Sequence, residues 1–410
     1  MIAKILIPIL IATILTYGYF YWFHIRRKKW WLQLPFFLLL AFFVFMTVKA
    51  ASWKDYFPDD NSELERYLHL LVVALMVPAV AAIGGVIGRF FNSRKHSRGV
   101  NSQLTGHRKF GSAVPLSRCQ KCGEVIGWCL ALLNLGVYAY GTFIGFRQFE
   151  VVHVTYASKN LPAAFDGYKV VLFSDAHVGT YKGSRSDILR RAVDSINAQH
   201  ADLVVFAGDL LNKRIEELAP HRQLLSSIKA EDGVIAVMGN HDYAEYLDLN
   251  SDDRHYQSLA NKDSIRQLRW QLLNNAHAVL RRGGDSIFIA GMENDGEGRF
   301  PPLGNVKDAL EGVPYNSFLV MVEHDPTSWR RKILPECHAQ LTLSGHTHGG
   351  QLSLLGLSPA MFVYKEHSGF YHSGDRALYV TKGLGGVVPF RLGCSGEIVV
   401  ITLKNIANSQ

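Results

Sequence analysis

Four runs in the first 146 residues contain no Asp, Glu, Lys or Arg: residues 5–25, 30–48, 67–88 and 125–146. Each is close to the roughly 20 residues a helix needs to cross a hydrocarbon core. A backbone in lipid must satisfy its own hydrogen bonds, so such runs fold as helices. The sequence therefore predicts a region of about four transmembrane spans over 1–146 and a separate catalytic domain over 147–410. Tyr17, Tyr19, Tyr21, Trp22, Trp30 and Trp31 cluster where the first two runs meet, as an aromatic belt does. The first run also has the reading of a signal peptide. Its basic cluster follows rather than precedes it, and no small-residue cleavage site closes it, which favours a span. His69, Pro78 and Asn134, inside the runs, read as packing residues.

Charge divides the chain in the same place. Residues 1–146 carry 16 Lys/Arg against 6 Asp/Glu, and residues 147–410 carry 27 against 29. The overall +8 thus belongs to the apolar part, and the remainder has no polybasic footprint for nucleic acid. Arg26-Arg27-Lys28-Lys29 lies between the first two runs. The 92–124 connection carries Arg94, Lys95, Arg98, Arg108, Lys109, Arg118 and Lys121, with Glu124 its one acid. The 51–66 connection carries Asp55, Asp59, Asp60, Glu63 and Glu65. Positive connections stay in the cytoplasm, so an even number of spans places the catalytic domain outside a bacterial cytoplasmic membrane.

Five cysteines say little. Cys119-x-x-Cys122 lacks the second pair that a structural zinc site needs, leaving a redox pair or free thiols. Cys337 and Cys394 pair only if the fold brings them together.

The second part is punctuated by five short apolar runs that each end in metal-type ligands. Val170–Phe173 leads to Asp175-Ala176-His177, Leu203–Phe206 to Gly208-Asp209, and Val234–Val237 to Gly239-Asn240-His241-Asp242. Phe318–Val322 leads to His324, and Ala339–Leu343 to Gly345-His346-Thr347-His348. Ligands gather at the carboxyl ends of strands in open α/β sheets, so residues far apart in sequence can converge. Each cluster alone has a plainer reading as a turn or loop; the ordered set of five does not. His153, His221, His277, His338, His367 and His372 read as surface or packing residues.

In order and spacing, D-x-H, G-D, G-N-H-D, H and G-H-x-H resemble the metallophosphoesterase, or calcineurin-like phosphoesterase, superfamily. Gly349-Gly350-Gln351 and the tail Gly383-Leu384-Gly385-Gly386, Arg391, Glu397-Ile398 and Ile401-Thr402-Leu403 are similar to its YkuE/YaeI-like, membrane-anchored bacterial branch. Ala176 departs from the usual branched residue there, as a small spacer. The resemblance implies a four-layer αββα sandwich holding two divalent metal ions, with Mn, Zn, Fe and Mg all open. It implies Asp175, His177 and His348 on one ion, Asn240, His324 and His346 on the other, and Asp209 bridging. His241 would stabilise the transition state or protonate the leaving oxygen. Asp242 would orient His241 or, alternatively, cap a helix.

Around these clusters, Val151–Val154 reads as an edge strand and 186–199 as a helix burying Ile188, Leu189, Val193 and Ile196. Residues 244–279 read as helical, with Leu259, Ile265, Leu268, Leu272 and Leu273 buried. Residues 377–381 and 398–403 read as strands. The expected function is a membrane-anchored, metal-dependent phosphoesterase. Its expected partners are the lipid bilayer and a phosphorylated lipid or small-molecule substrate. A soluble nucleotide or a UDP-diacylglucosamine-type substrate, an inactive sensor or scaffold, and transport by the helices are the alternatives. The spans carry no interior Asp, Glu, Lys or Arg, which weighs against transport. Oligomeric state is left open.

Overall fold

The computed structural model describes residues 2–26, 28–53, 61–97, 117–298 and 300–407. It divides into two compact units, Met1–Ala139 and Tyr140–Gln410.

The first unit is helical. Helix α1 (Ile2–Phe20) runs into a π-helical turn at Tyr21–Ile25, and α2 covers Trp30–Ala51. A second π turn at Val72–Met76 joins α3 (Asn61–Leu71) to α4 (Val77–Ser97), and α5 covers Arg118–Phe143. Four helical stretches, Leu6–Ile25, Trp30–Ala51, Ser62–Phe91 and Arg118–Arg147, are long and apolar enough to cross a membrane. The last three extend past the uncharged runs and take in charges. Glu63 and Glu65, expected in a connection, are helical, as are Lys121 and Glu124. Glu124 accepts hydrogen bonds from Tyr19 and, at 3.2 Å, from His24. Arg27, Asp55, Asp59, Asp60, Arg98, Arg108 and Lys109, connection charges that set the expected orientation, lie outside the described residues.

Helices α4 and α5 meet through glycines. A Cβ on Gly84 would stand 2.2 Å from the Gly123 carbonyl, and one on Gly88 2.2 Å from the Cys119 carbonyl. Gly84-x-x-x-Gly88 and Gly123-x-x-x-Gly127 therefore form facing small-residue seams, which let helix backbones touch where no hydrophobic effect drives them together.

The second unit begins at Tyr140, in the last turn of α5, rather than at the expected 147. The reason is local: the Arg391 N–H donates to the Gly141 carbonyl at 3.1 Å, and the Phe390 ring covers Gly141. Its strands are β1 (Phe149–Ser158), β2 (Lys169–Phe173), β3 (Leu203–Ala207), β4 (Val234–Val237), β5 (Gln271–Leu272) and β6 (Ala276–Arg282). They continue with β7 (Asp285–Gly291), β8 (Phe318–Val322), β9 (Leu341–Ser344), β10 (Gly369–Ser373), β11 (Arg376–Val380) and β12 (Gly396–Asn405). Two six-stranded sheets result, ordered β1-β12-β2-β3-β4-β5 and β10-β11-β9-β8-β7-β6. Within them β2, β3 and β4 are parallel, and so are β8 and β9.

Successive strand residues point to opposite faces, and that alternation builds the layers. Val170, Leu172, Val205, Ile235, Val320 and Leu343 face one core between the sheets. Val171, Phe173, Val204 and Phe206 face a second core, closed by α6 (Ser186–Asn197) through Ile188, Leu189, Val193 and Ile196. Leu319, Met321 and Leu378 face a third, covered by Trp329 and Ile333. This is the expected helix–sheet–sheet–helix sandwich. The expected long helix over 244–279 is shorter, Ser251–Arg266. Leu272 lies in β5, residues 276–282 form β6, and Leu259 is exposed. The β-branched and aromatic-poor periodicity there misled, because pairing with β4 and β7 draws the segment into the sheets.

Candidate metal centre

The carboxyl ends of β2, β3, β4, β8 and β9 deliver the five clusters to one place. Asp175, His177, Asp209, His346 and His348 all have positive φ, from 45° to 73°. Such residues cost on the order of 1–3 kcal/mol each and persist where surrounding structure over-determines them. Here the turns bond to one another: Asp175 N–H to the Gly208 carbonyl (2.8 Å), His177 N–H to Asp209 (3.2 Å) and Gly345 N–H to His324 (3.0 Å). Two glycines allow this crowding. A Cβ on Gly239 would meet Asp209 Oδ1 at 2.2 Å, and one on Gly208 would meet His324 Nδ1 at 2.7 Å.

Two ligand sets share Asp209. The ligand atoms of Asp175, His177, Asp209 and His348 lie within 4.8 Å of one another, as do those of Asp209, His324 and His346. Asp209 Oδ2 stands 3.6 Å from His177 Nε2 and 3.2 Å from His324 Nε2. Its Oδ1 accepts the His241 N–H at 2.9 Å. Asp175 Oδ1 is 3.4 Å from His348 Nε2, and its carboxylate accepts the His346 N–H and the Ser174 hydroxyl. His346 Nδ1 lies 3.3 Å from His324 Nε2.

Main-chain carbonyls fix which ring nitrogen faces inward. His177 Nδ1 donates to Leu211 at 3.0 Å, and His324 Nδ1 donates to Ala207 at 2.7 Å. That leaves Nε2 of each toward the shared carboxylate, the arrangement that outer-shell partners impose on metal-ligating histidines. Burial pushes His177 down to about 3, with His241 adding to the effect. Burial and then Arg391 push His348 down to about 3. Both rings are neutral and their lone pairs free. Burial opposes the His324 imidazolium, but the Asp209 carboxylate outweighs it and pushes that ring up to about 10. A cation in the same place would take over the proton's role.

The residues fit a pair of divalent cations. His177 Nε2 and Asn240 Oδ1 are buried without a hydrogen-bond partner. Asn240 donates its amide to the Tyr246 hydroxyl at 2.7 Å, which leaves its oxygen as the atom available to a cation. Carboxylate, imidazole and amide oxygen without thiol suit Mn, Zn, Fe or Mg. Cys394 instead rests its Sγ on the His348 and Gly349 carbonyls at 3.7 Å, and Cys337 accepts the Ala339 N–H. The two are free thiols and do not pair.

His241 is buried, stacked on Tyr246 (4.3 Å between centroids) and edge-on to His177 (4.8 Å). Its Nδ1 donates to the Asn212 carbonyl at 2.7 Å. Of the two roles expected for Asp242, capping is the one its hydrogen bonds show, at the start of the turn Asn240–Tyr243. That carboxylate accepts the main-chain N–H groups of Asp209, Leu210, Leu211 and Gly239, at 3.0 Å for the shortest bond to each. A buried acceptor goes to the loop with most unpaired donors, and the turn after β3 supplies three. Burial, then the nearby Asp209, pushes Asp242 up to about 7 against the pull of those amides.

Several roles are not marked by any side-chain pattern. The orienting groups of His177, His324 and His241 are main-chain carbonyls, which no side-chain pattern marks. Arg391 is buried, and its two Nη atoms donate to the carbonyls of Lys382, Gly383, Gly385, Cys394 and Ser395. It thereby holds the glycine turn against Asp175, whose Cβ would be 2.7 Å from a Cβ on Gly383. Asp325, adjacent to His324, lies 3.7 Å from His346 Nε2.

The family described as Calcineurin-like phosphoesterase matches residues 168–350. An uncharacterized metallophosphoesterase, YkuE of Bacillus subtilis (strain 168), is 31% identical over 287 residues, covering 67% of this chain and 92% of its own. A transmembrane protein with metallophosphoesterase domain from Danio rerio is 31% identical over 285 residues, 67% of this chain and 62% of its own. An uncharacterized metallophosphoesterase of Aquifex aeolicus (strain VF5) is 26% identical over 265 residues, 63% of this chain and 93% of its own.

Proposed function

From a chain that belongs to the calcineurin-like metallophosphoesterase family, we propose a membrane-anchored hydrolase of phosphate esters or pyrophosphates carried by lipids at the bilayer surface. The observation that supports it most is Asp209 Oδ2, shared between the His177 and His324 nitrogens at 3.6 and 3.2 Å. One carboxylate shared between two sets of potential ligands is the layout a two-metal site requires.

Asp175, His177 and His348 would hold one cation, Asn240, His324 and His346 the other, and Asp209 both. Two bound cations would supply Lewis acidity toward water and toward the phosphoryl oxygens. The chain does the rest. Asp209 is held through Oδ1 by the His241 main-chain N–H, which keeps Oδ2 toward His177 and His324. His241, with Nδ1 committed to Asn212, has Nε2 to hold a proton for the leaving oxygen. Burial disfavours the charged ring, so a bound phosphoryl anion would have to favour that proton. A positioned acid of this kind contributes about 10²–10⁴ in rate.

The lipid-linked substrate rests on the four candidate spans that precede the domain. The positive connections favour an extracytoplasmic domain, which a phosphatase fusion after residue 410 would report. The deciding experiment is a screen of the full-length protein in nanodiscs against phosphomonoesters, phosphodiesters and phospholipids, with Mn, Zn, Fe and Mg varied. Metal-dependent release from a lipid-borne phosphate is expected. Protein that binds two metals per chain and hydrolyses none of these esters would leave the sensor or scaffold reading in its place.

A further inference from the structure

We propose that the loop 352–363 is an interfacial lip that inserts among lipid headgroups and seats the metal centre on the bilayer. Its insertion stands on its own observations; its value for lipid-borne phosphates rests on the reading above.

The loop contains no Asp, Glu, Lys or Arg, and seven of its twelve residues are Leu, Met, Phe or Val. It does not bury them. Leu355 is 96% exposed, Phe362 89%, Val363 73% and Leu354 67%. Isolated exposed apolar residues need no explanation, but a contiguous patch marks an interaction site.

Turn chemistry makes the same point independently. Leu354 and Leu357 exchange both main-chain hydrogen bonds, at 2.9 and 3.0 Å, around Leu355 and Gly356. Both central residues have positive φ, 52° and 81°. Such a turn favours Asn, Asp or Gly at its first central position. Here that position holds a leucine, at the most exposed point of the loop. Neither local backbone preference nor packing accounts for it.

The lip is braced and lies beside the centre. Ser358 donates its hydroxyl to the Gly349 carbonyl at 2.7 Å, one residue past His348. Tyr364 closes the loop with its hydroxyl 3.1 Å from His346 Nε2. At its start, the Ser353 N–H donates to the Leu392 carbonyl at 2.8 Å. The neighbouring Arg391 N–H donates to Gly141, in the last turn of the fourth apolar helix. Phe143 and Ile144, just beyond, are 64% and 50% exposed. Within the catalytic unit, residues 390–392 thus support both the lip and the turn where the chain leaves its last candidate span. That shared support names the occupant: the same lipid interface, entered to the about 5–10 Å typical of interfacial apolar segments.

The test uses the full-length protein in phosphatidylcholine–phosphatidylglycerol nanodiscs. Phe362→Trp adds one emitter to the lip, and Tyr315→Trp adds one at the opposite end of β8, where the side chain is 80% exposed. The emission added by Phe362→Trp should shift to the blue, be lost in nanodiscs of brominated phosphatidylcholine, and resist aqueous iodide. That added by Tyr315→Trp should show the reverse. If Phe362→Trp fails to fold, Val363→Trp reports from the adjacent position. Iodide quenching equal to that at Tyr315 overturns the proposal. Shielding from both quenchers also overturns it and assigns the lip to a second copy or another protein. Turnover of bis-p-nitrophenyl phosphate is read in parallel and should match the parent. Lipid quenching without turnover of any ester, parent included, would keep the lip and remove the phosphoesterase reading.

Discussion

His241 gives its Nδ1 proton to the main-chain carbonyl of Asn212 at 2.7 Å, and that bond commits the ring. The hold on Asp209 comes from the His241 main-chain N–H, which alanine keeps. His241→Ala should therefore keep its metal and lose kcat by about 10²–10⁴, the range for a lost general acid. The loss should be smaller for esters with good leaving groups, which need little protonation. Elemental analysis beside kcat on two leaving groups checks this; a variant that purifies without metal would show that the ring is structural.

Asp209 behaves differently because its charge is shared. Its Oδ2 faces His324 and His177 at once, and two cations roughly 3.5–4 Å apart need an anion between them. Asp209→Asn keeps the shape and removes that anion. Metal content and turnover should fall together. Full occupancy and full rate in this variant would refute the bridging role.

The α4–α5 seam gives a prediction about the first unit. A Cβ on Gly123 would lie 2.2 Å from the Gly84 carbonyl, a main-chain atom that cannot rotate aside. Gly123→Leu should separate the helices and lower the melting temperature of the detergent-solubilised protein. Gly136→Leu, at a glycine with nothing within 4 Å of its Cβ position, should leave it unchanged. Equal effects of the two would mean that the seam contributes nothing.

That the five clusters meet was legible in the sequence, because each follows a short apolar strand and strand ends converge for topological reasons. The sandwich was legible for the same reason: Val170 to Phe173 and Leu203 to Phe206 are too apolar to be half-buried strands. The span boundaries were less so, since charges such as Glu63 and Glu124 continue the helices past the apolar runs. Within 244–279, residues 267–279 are not helical: Leu268, Leu272 and Leu273 keep helical spacing, but pairing with β4 and β7 decides the structure. What orients the histidines was not legible at all. Main-chain carbonyls of Leu211, Ala207 and Asn212 do it, and any residue type supplies a carbonyl.

The Asp242 cap yields the last prediction. Four buried main-chain N–H groups, on Asp209, Leu210, Leu211 and Gly239, donate to its carboxylate. Removing the acceptor leaves them unpaired, at roughly 1–3 kcal/mol for each that water cannot reach. Asp242→Ala should therefore destabilise the catalytic unit by at least about 3 kcal/mol. Asp242→Asn should cost less but not nothing, because one oxygen remains while the new NH₂ group meets amide donors. Both turns carry residues proposed as metal ligands, so metal affinity should weaken in step with stability. A residue that merely oriented His241 would act otherwise: kcat would fall at unchanged melting temperature and metal content. Differential scanning of both variants with metal titration, followed by kcat on the folded fraction, distinguishes the two roles.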